Sequence, residues 1–169
     1  MKQIKTLLVA AILFLGATNV TSAQSKVAHI DTQELIAAMP EMKSAQNQLE
    51  KLQKTYEADI QTMATELQNK MKQYQAEASS KTDEVNAQRA QEVQGMRDNV
   101  LKYEQNAQQE MGKRNEGLVR PIMEKARLAI QKVARANGYQ YVIDSTTGSG
   151  LILADGPNLL ADVKKELGM

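Results

Sequence analysis

One histidine, three aspartates and two serine-bearing turns are the residues whose types could do chemistry. His29 is the only histidine and there is no cysteine, so a metal site would need several carboxylates brought around it; a structural histidine is the expected reading. Asp31, Asp144 and Asp155 fall at the ends of expected strands, where paired carboxylates could do acid–base work. Strand-end aspartates more often bond to turn backbone. Gly148-Ser149-Gly150 lacks the lysine and the following helix of a phosphate loop, and reads as a turn. Ser79 and Ser80 have no histidine near them, and no nucleophile–base pair stands out. The chain is expected not to be an enzyme, with no catalytic, metal or cofactor-binding residue.

The methionines matter more. There are nine, and Met63, Met71, Met96 and Met111 fall on helical stripes. Methionine is flexible and polarisable, suited to surfaces that must accept many shapes. The plainer reading is that these side chains pack two helices together, and a thin two-helix arm leaves room for both. Met63, Met71, Tyr74, Val93 and Met96 are the candidate residues for contact with a bound chain.

The elements that position them follow from spacing. Between about Glu41 and Arg120 the chain is polar, rich in glutamine and free of proline. Met42, Ala45, Leu49, Leu52, Tyr56, Ile60, Met63, Leu67, Met71, Tyr74 and Ala78 recur at steps of three and four, one stripe along a helix of nearly 40 residues. Leu52, Met63 and Tyr74 lie eleven apart. Ala78 to Glu84 interrupts the stripe, and Ser80 or Thr82 can cap a new helix. A second stripe runs through Val93, Met96, Val100, Tyr103, Ala107, Met111, Leu118, Ile122, Ala129 and Val133. Two such helices should fold back antiparallel, stripe on stripe, although a single rod is the alternative. The eleven-residue repeat predicts straight or slightly right-handed arms. Pro121 lies inside the second stripe and predicts a kink or a new helix start, in either case a junction and a candidate hinge.

The flanks read differently. Val27–Asp31 is predicted as a strand and Thr32–Met39 as a short helix capped by Thr32, with Leu35 and Ile36 inward. Pro40 resets the chain there. After a helix stopped by Asn137-Gly138, Tyr139–Asp144 and Leu151–Ala154 are predicted as strands of a hairpin joined by 145–150. Leu159–Leu167 closes the chain as a helix capped by Asn158.

Met1 to Ala23 reads as a secretory signal: Lys2 and Lys5, an apolar run from Thr6 to Ala17, then Thr21-Ser22-Ala23. That run is about 12 residues, short of the roughly 20 of a membrane-spanning helix. Cleavage after about Ala23 removes two of the 21 basic residues and leaves 19 against 20 acidic. Near-neutral charge argues against nucleic acid and gives at most transient membrane contact. The remaining chain has five tyrosines and no phenylalanine or tryptophan, too few aromatics for an ordinary globular core. The fold class expected is α+β: a long antiparallel α-helical hairpin projecting from a small β-sheet or barrel body formed on oligomerisation. The division is 1–23 signal, 24–40 body, 41–120 arm and 121–169 body. Three short strands expose edges and cannot cover both faces, and Leu151-Ile152-Leu153 wants cover on both, so a homo-oligomer is expected.

The order Val27–Asp31, Met39-Pro40, long polar helices, Ala134-Arg135-Ala136-Asn137-Gly138-Tyr139, Tyr141-Val142-Ile143-Asp144-Ser145, Leu151–Asp155 and Ala161–Lys165 resembles the Skp/OmpH family of periplasmic chaperones along the mature chain. The resemblance implies a trimer whose strands form a small barrel and whose three arms surround a cavity. It implies an ATP-independent holdase that keeps unfolded outer-membrane β-barrel proteins from aggregating. One departure counts. Many members are strongly basic and are thought to attract anionic clients and lipopolysaccharide, whereas residues 41–120 hold 12 basic and 13 acidic side chains here. A lipopolysaccharide site is therefore not carried over. The competing reading is a coiled-coil spacer or adaptor of the cell envelope.

Overall fold

A computed structural model describes residues 26–169, so the signal and its cleavage site lie outside the described residues. Strand β1 spans Val27–Ile30, helix α1 Thr32–Ala38, helix α2 Pro40–Glu77, a 3₁₀ turn Ala78–Ser80, helix α3 Asp83–Ala136, strand β2 Tyr141–Asp144 and helix α4 Leu160–Glu166.

Local chemistry sets each boundary. Helix α1 is capped by Asp31, whose Oδ1 accepts from Glu34 N at 2.8 Å, and not by Thr32. Thr32 is already helical, and its hydroxyl is committed to Asp144 Oδ2 at 2.7 Å. Met39 is extended (ψ 129°) ahead of Pro40, which then opens α2 where its missing N–H costs no helical bond. Helix α2 has 38 residues, about 57 Å at 1.5 Å per residue. At the reversal Ser80 Oγ donates to Glu77 O at 2.7 Å, and Thr82 caps α3 by accepting from Val85 N at 3.4 Å.

The reversal makes the hairpin expected from the stripes. Arg114 reaches Gln48 at 3.0 Å, Tyr103 reaches Asp59 at 2.6 Å and Arg89 reaches Glu77 at 2.5 Å. As one partner advances along α2 the other retreats along α3, so the helices run antiparallel.

Helix α3 continues unbroken for 54 residues with Pro121 inside it, so no new helix starts there. Proline deletes one backbone bond. The turns after it bury Ile122, Ala126, Ala129 and Val133 on one face, which holds the helix together across the gap. Its end is a Schellman motif: Tyr139 N donates to Ala134 O at 2.9 Å and Gly138 N to Arg135 O at 3.1 Å, with Gly138 at φ 72°.

Strands β1 and β2 pair in parallel, Val27 opposite Tyr141 and Ile30 opposite Asp144. Parallel neighbours need a crossover, and here it is the whole helical arm. The expected hairpin between β2 and Leu151–Ala154 does not form; β2 starts at Tyr141, and residues 151–154 are irregular. Thr146 N, bonded to Asp144 Oδ1 at 3.0 Å, and Ser149 N, bonded to Thr146 O at 2.9 Å, turn the chain tightly after β2. It then runs to the far edge of β1, where His29 N donates to Pro157 O at 2.9 Å and Leu159 N to His29 O at 3.0 Å. Within one chain the Leu-Ile-Leu run stays uncovered, and Ile152 is 99 % exposed.

The core lies where α1, the base of the arm and α4 meet the inner sheet face. Ile30, Leu35, Met39, Leu159 and Val163 are fully buried there, joined by Ala45, Ala126, Ala129 and Ala134. Leu35 points inward as expected, and Ile36 is half-buried against the cluster. The alanines let helix backbones approach, so a core without phenylalanine or tryptophan can close.

Candidate functional site

Along the arm the stripe residues of α2 and α3 face each other, yet two helices cannot enclose them. Leu49, Leu52, Tyr56, Ile60, Met63 and Leu67 are half-buried, as are Val93, Met96, Val100 and Tyr103. Between residues 41 and 120 only Ala45 and Ala107 are buried. An apolar seam is therefore open along its flanks.

Polar contacts fix its register. The Tyr56 and Tyr103 rings meet edge-on at 6.0 Å between centroids. The Tyr103 hydroxyl donates to Asp59 at 2.6 Å, and that bond to a carboxylate raises its pKa. Near the tip the Tyr74 hydroxyl donates to Glu92, which raises the tyrosine's pKa and lowers that of Glu92. Arg89 lies over the Tyr74 ring at 4.4 Å and pairs with Glu77 at 2.5 Å. Gln73 and then Arg89 hold Glu77 below the usual carboxylate range. At the base Lys125 bonds Glu41 and lowers its pKa.

The structure places the five candidate contact residues unevenly. Met71, Tyr74 and Val93 line one groove of about 450 Å³ at the tip, together with Ala78, Arg89 and Ala90. Met63 and Met96 are half-buried in the seam and do not line that groove. Met71 is the exposed member of the five. Sequence reading missed two larger features. A mid-arm groove of about 470 Å³ is lined by Tyr56, Ile60, Ala107 and Met111, and a basal one of about 850 Å³ by Ile36, Val119, Met123, Ala126 and Ile130. Met123 breaks the stripe spacing and gave no signal. Arg89 and Glu77, one step from Val93 and Tyr74 on the apolar face, did: charges on a stripe imply a partner across it.

Of the residues weighed for chemistry, His29, Asp31 and Asp144 have structural partners. His29 Nε2 donates to Gly156 O at 3.1 Å, which leaves Nδ1 to accept from Ser145 Oγ at 3.1 Å; the ring ties β1 to both loops around it. Asp31 and Asp144 come together at Thr146, whose Oγ1 lies 3.0 Å and 2.7 Å from them. Burial alone would raise the pKa of Asp144, but hydrogen bonds from Thr32 and Thr146 outweigh it and hold it at about 2. A carboxyl that acidic is a poor proton carrier near neutrality. Asp155 is exposed and takes no part. Among the described residues no group of three or more His, Asp or Glu could hold a metal ion. No described helix is long and apolar enough to cross a membrane.

A helical hairpin rising from a small sheet is a fold that comparison with known proteins can test. The family profile described as outer membrane protein (OmpH-like) matches residues 26–167. The chain belongs to the OmpH-like family. Among curated relatives, the chaperone protein Skp of Pectobacterium atrosepticum is 25 % identical over 155 residues, 92 % of this chain and 93 % of that one. The chaperone protein Skp of Photorhabdus luminescens is 27 % identical over 145 residues, 86 % of this chain and 87 % of that one. The solved structure of an OmpH-like protein from Caulobacter crescentus CB15 superposes with a TM-score of 0.76 at 17 % identity, over 86 % of this chain and 85 % of that one. At that identity the likeness shows the fold, and the OmpH-like arm and sheet are shared features of it.

Proposed function

We propose that this OmpH-like protein is an ATP-independent periplasmic holdase chaperone. It binds unfolded outer-membrane β-barrel proteins between helical arms and prevents their aggregation. The observation that carries the reading is the seam of half-buried aliphatic, methionine and tyrosine side chains along the arm, with grooves opening on it at mid-arm and tip. Many weak apolar contacts on a Met-bearing surface hold a chain without selecting one shape.

The chain acts as a homotrimer, with 24–40 and 121–169 as body and 41–120 as arm, after a signal at 1–23 is cleaved. Two features support association through the body. Val27, Tyr141 and Ile143 lie exposed on the outer sheet face, and Leu151, Ile152 and Leu153 are exposed in the segment after β2. Strands that present such a face in an incomplete sheet gain most by adding copies. Three bodies joined this way make a small barrel with the arms around a common cavity. Pro121 is the hinge that lets the cavity widen.

The deciding experiment dilutes a denatured outer-membrane barrel into buffer without ATP, with and without stoichiometric protein, and follows turbidity. Suppressed aggregation is expected. No suppression by a preparation whose oligomer is intact by light scattering would defeat the holdase reading and favour an envelope spacer.

A further inference from the structure

Arg97 of α3 donates from Nη2 to the thioether sulfur of Met71 on α2, across 3.5 Å. Met71 is 38 % exposed on the tip groove, and no other methionine between residues 41 and 120 is exposed. A thioether is a weak acceptor, so a charged donor is spent on a poor partner. Oxygen added to that sulfur would be a strong acceptor within reach of the same N–H groups, and charge-assisted bonds of that kind are short and strong. Met63, Met96 and Met111 are half-buried in the seam, and Met39 is buried in the body core; a sulfoxide there would put an oxygen among apolar groups. Met123 and Met169 are more exposed than Met71, but no cation donates to either sulfur among the described residues.

We propose that Met71 is a reversible oxidation site whose sulfoxide is held by Arg97, so that oxidation clamps the two arm helices near the tip and makes one wall of the tip groove polar. With hydrogen peroxide, the sulfur lone pair attacks one peroxide oxygen and the O–O bond breaks. The departing hydroxide takes the proton of the transferred oxygen and leaves as water. Sulfur loses two electrons and the peroxide gains them. Reversal requires a dithiol reductase, which supplies two electrons and two protons and releases water as its thiols close to a disulfide. This chain has no cysteine, so the reductase is a separate protein. The effect on client capture rests on the holdase reading; the oxidation and the clamp do not.

The test uses the mature protein with Met123→Leu and Met169→Leu, which removes the two more exposed thioethers. It is treated with hydrogen peroxide, mapped by peptide mass spectrometry and followed by amide hydrogen exchange. Met71 should oxidise before Met63, Met96 and Met111. Exchange in the segments around Met71 and Arg97 should then slow by roughly threefold or more. The slowing should vanish with Arg97→Ala and survive in part with Arg97→Lys, helix content being checked by circular dichroism. Oxidation of Met63 or Met96 as fast as Met71 would overturn the site. Exchange that is unchanged, faster, or slowed equally in Arg97→Ala would overturn the clamp. The same samples then enter the turbidity assay, where oxidised protein should protect clients several-fold less well and regain activity on reduction. Equal protection by a clamped, oxidised arm would overturn the polar-wall effect. Failure of the reduced protein to protect at all would instead defeat the holdase reading and leave the clamp standing.

Discussion

The guanidinium of Arg89 lies 4.4 Å above the ring of Tyr74 while its Nη2 holds Glu77 at 2.5 Å. One side chain of α3 thus engages two residues of α2 a single turn apart, next to the reversal. Its Nη1 is buried with no hydrogen-bond partner among the described residues. A cation stacked on an aromatic face and paired at its edge is directional, so Arg89 sets how the hairpin closes.

Arg89→Ala should therefore loosen the tip before anything else. Amide exchange in residues 71–93 should quicken several-fold while the unfolding midpoint of the body hardly moves. Arg89→Lys should restore the ion pair but not the stacking, and so only part of the protection. Equal exchange in wild type and Arg89→Ala would show that the tip is held by the helices alone.

The body core gives the opposite signature. Leu35 is wholly buried, and Leu35→Ala should cost about 2–5 kcal/mol in urea unfolding, the range for a large-to-small change in a packed core. Ile152→Ser should leave the stability of the dissociated chain unchanged, because the side chain is 99 % exposed in one chain. It should instead weaken the oligomer in sedimentation at low concentration. An oligomer untouched by Ile152→Ser would remove this segment from the interface.

Acid should reach the sheet through Asp144. Its pKa is lowered from 3.8 to about 2 in the folded chain. A lowered carboxylate contributes stability that is complete above the unfolded value and lost as pH falls through the folded one. Wild type should lose stability more steeply than Asp144→Asn between about pH 4 and pH 2, with parallel curves above that window. Thermal unfolding across that range is the measurement, and identical slopes would place the acid sensitivity elsewhere.

Pro121 offers a mechanical test of the proposed hinge. Pro121→Ala returns a backbone donor to the interior of α3 and should raise helix stability. If the hinge reading holds, the range of arm openings seen by small-angle scattering should narrow. An unchanged distribution would leave Pro121 as a tolerated interruption.

Near-neutral arms should make client capture nearly indifferent to salt. Titrating an unfolded porin at about 50 and 200 mM salt should give affinities within a few-fold of each other, because charge-driven binding would be screened over that range. A steep loss would show that local charge clusters, rather than the balance of 12 basic and 13 acidic residues, govern the grip.

By itself the sequence determined the arm. The stripe spacing set the faces of α2 and α3, the Ser-Ser-Lys-Thr break set the reversal, and Asn137-Gly138 set the end of α3, because each is a local rule of helix geometry and capping. Val27–Asp31 and Tyr139–Asp144 were legible as strands from their residue types, and the strands that form within them are Val27–Ile30 and Tyr141–Asp144. Only the tertiary structure decided that they pair in parallel across the whole arm, and that Leu151–Ala154 is not their neighbour. Pairing depends on which edges meet in space, and an apolar run extends as a strand only where a partner edge is present. The cap of α1 went to Asp31 and not Thr32 because Asp144, more than a hundred residues on, engages the threonine hydroxyl. The clusters at Arg89 and Arg97 exist only once α3 folds back on α2, since their partners are far along the chain. Local spacing can place a residue on a face, but its neighbour across the seam is settled by the register of the folded hairpin.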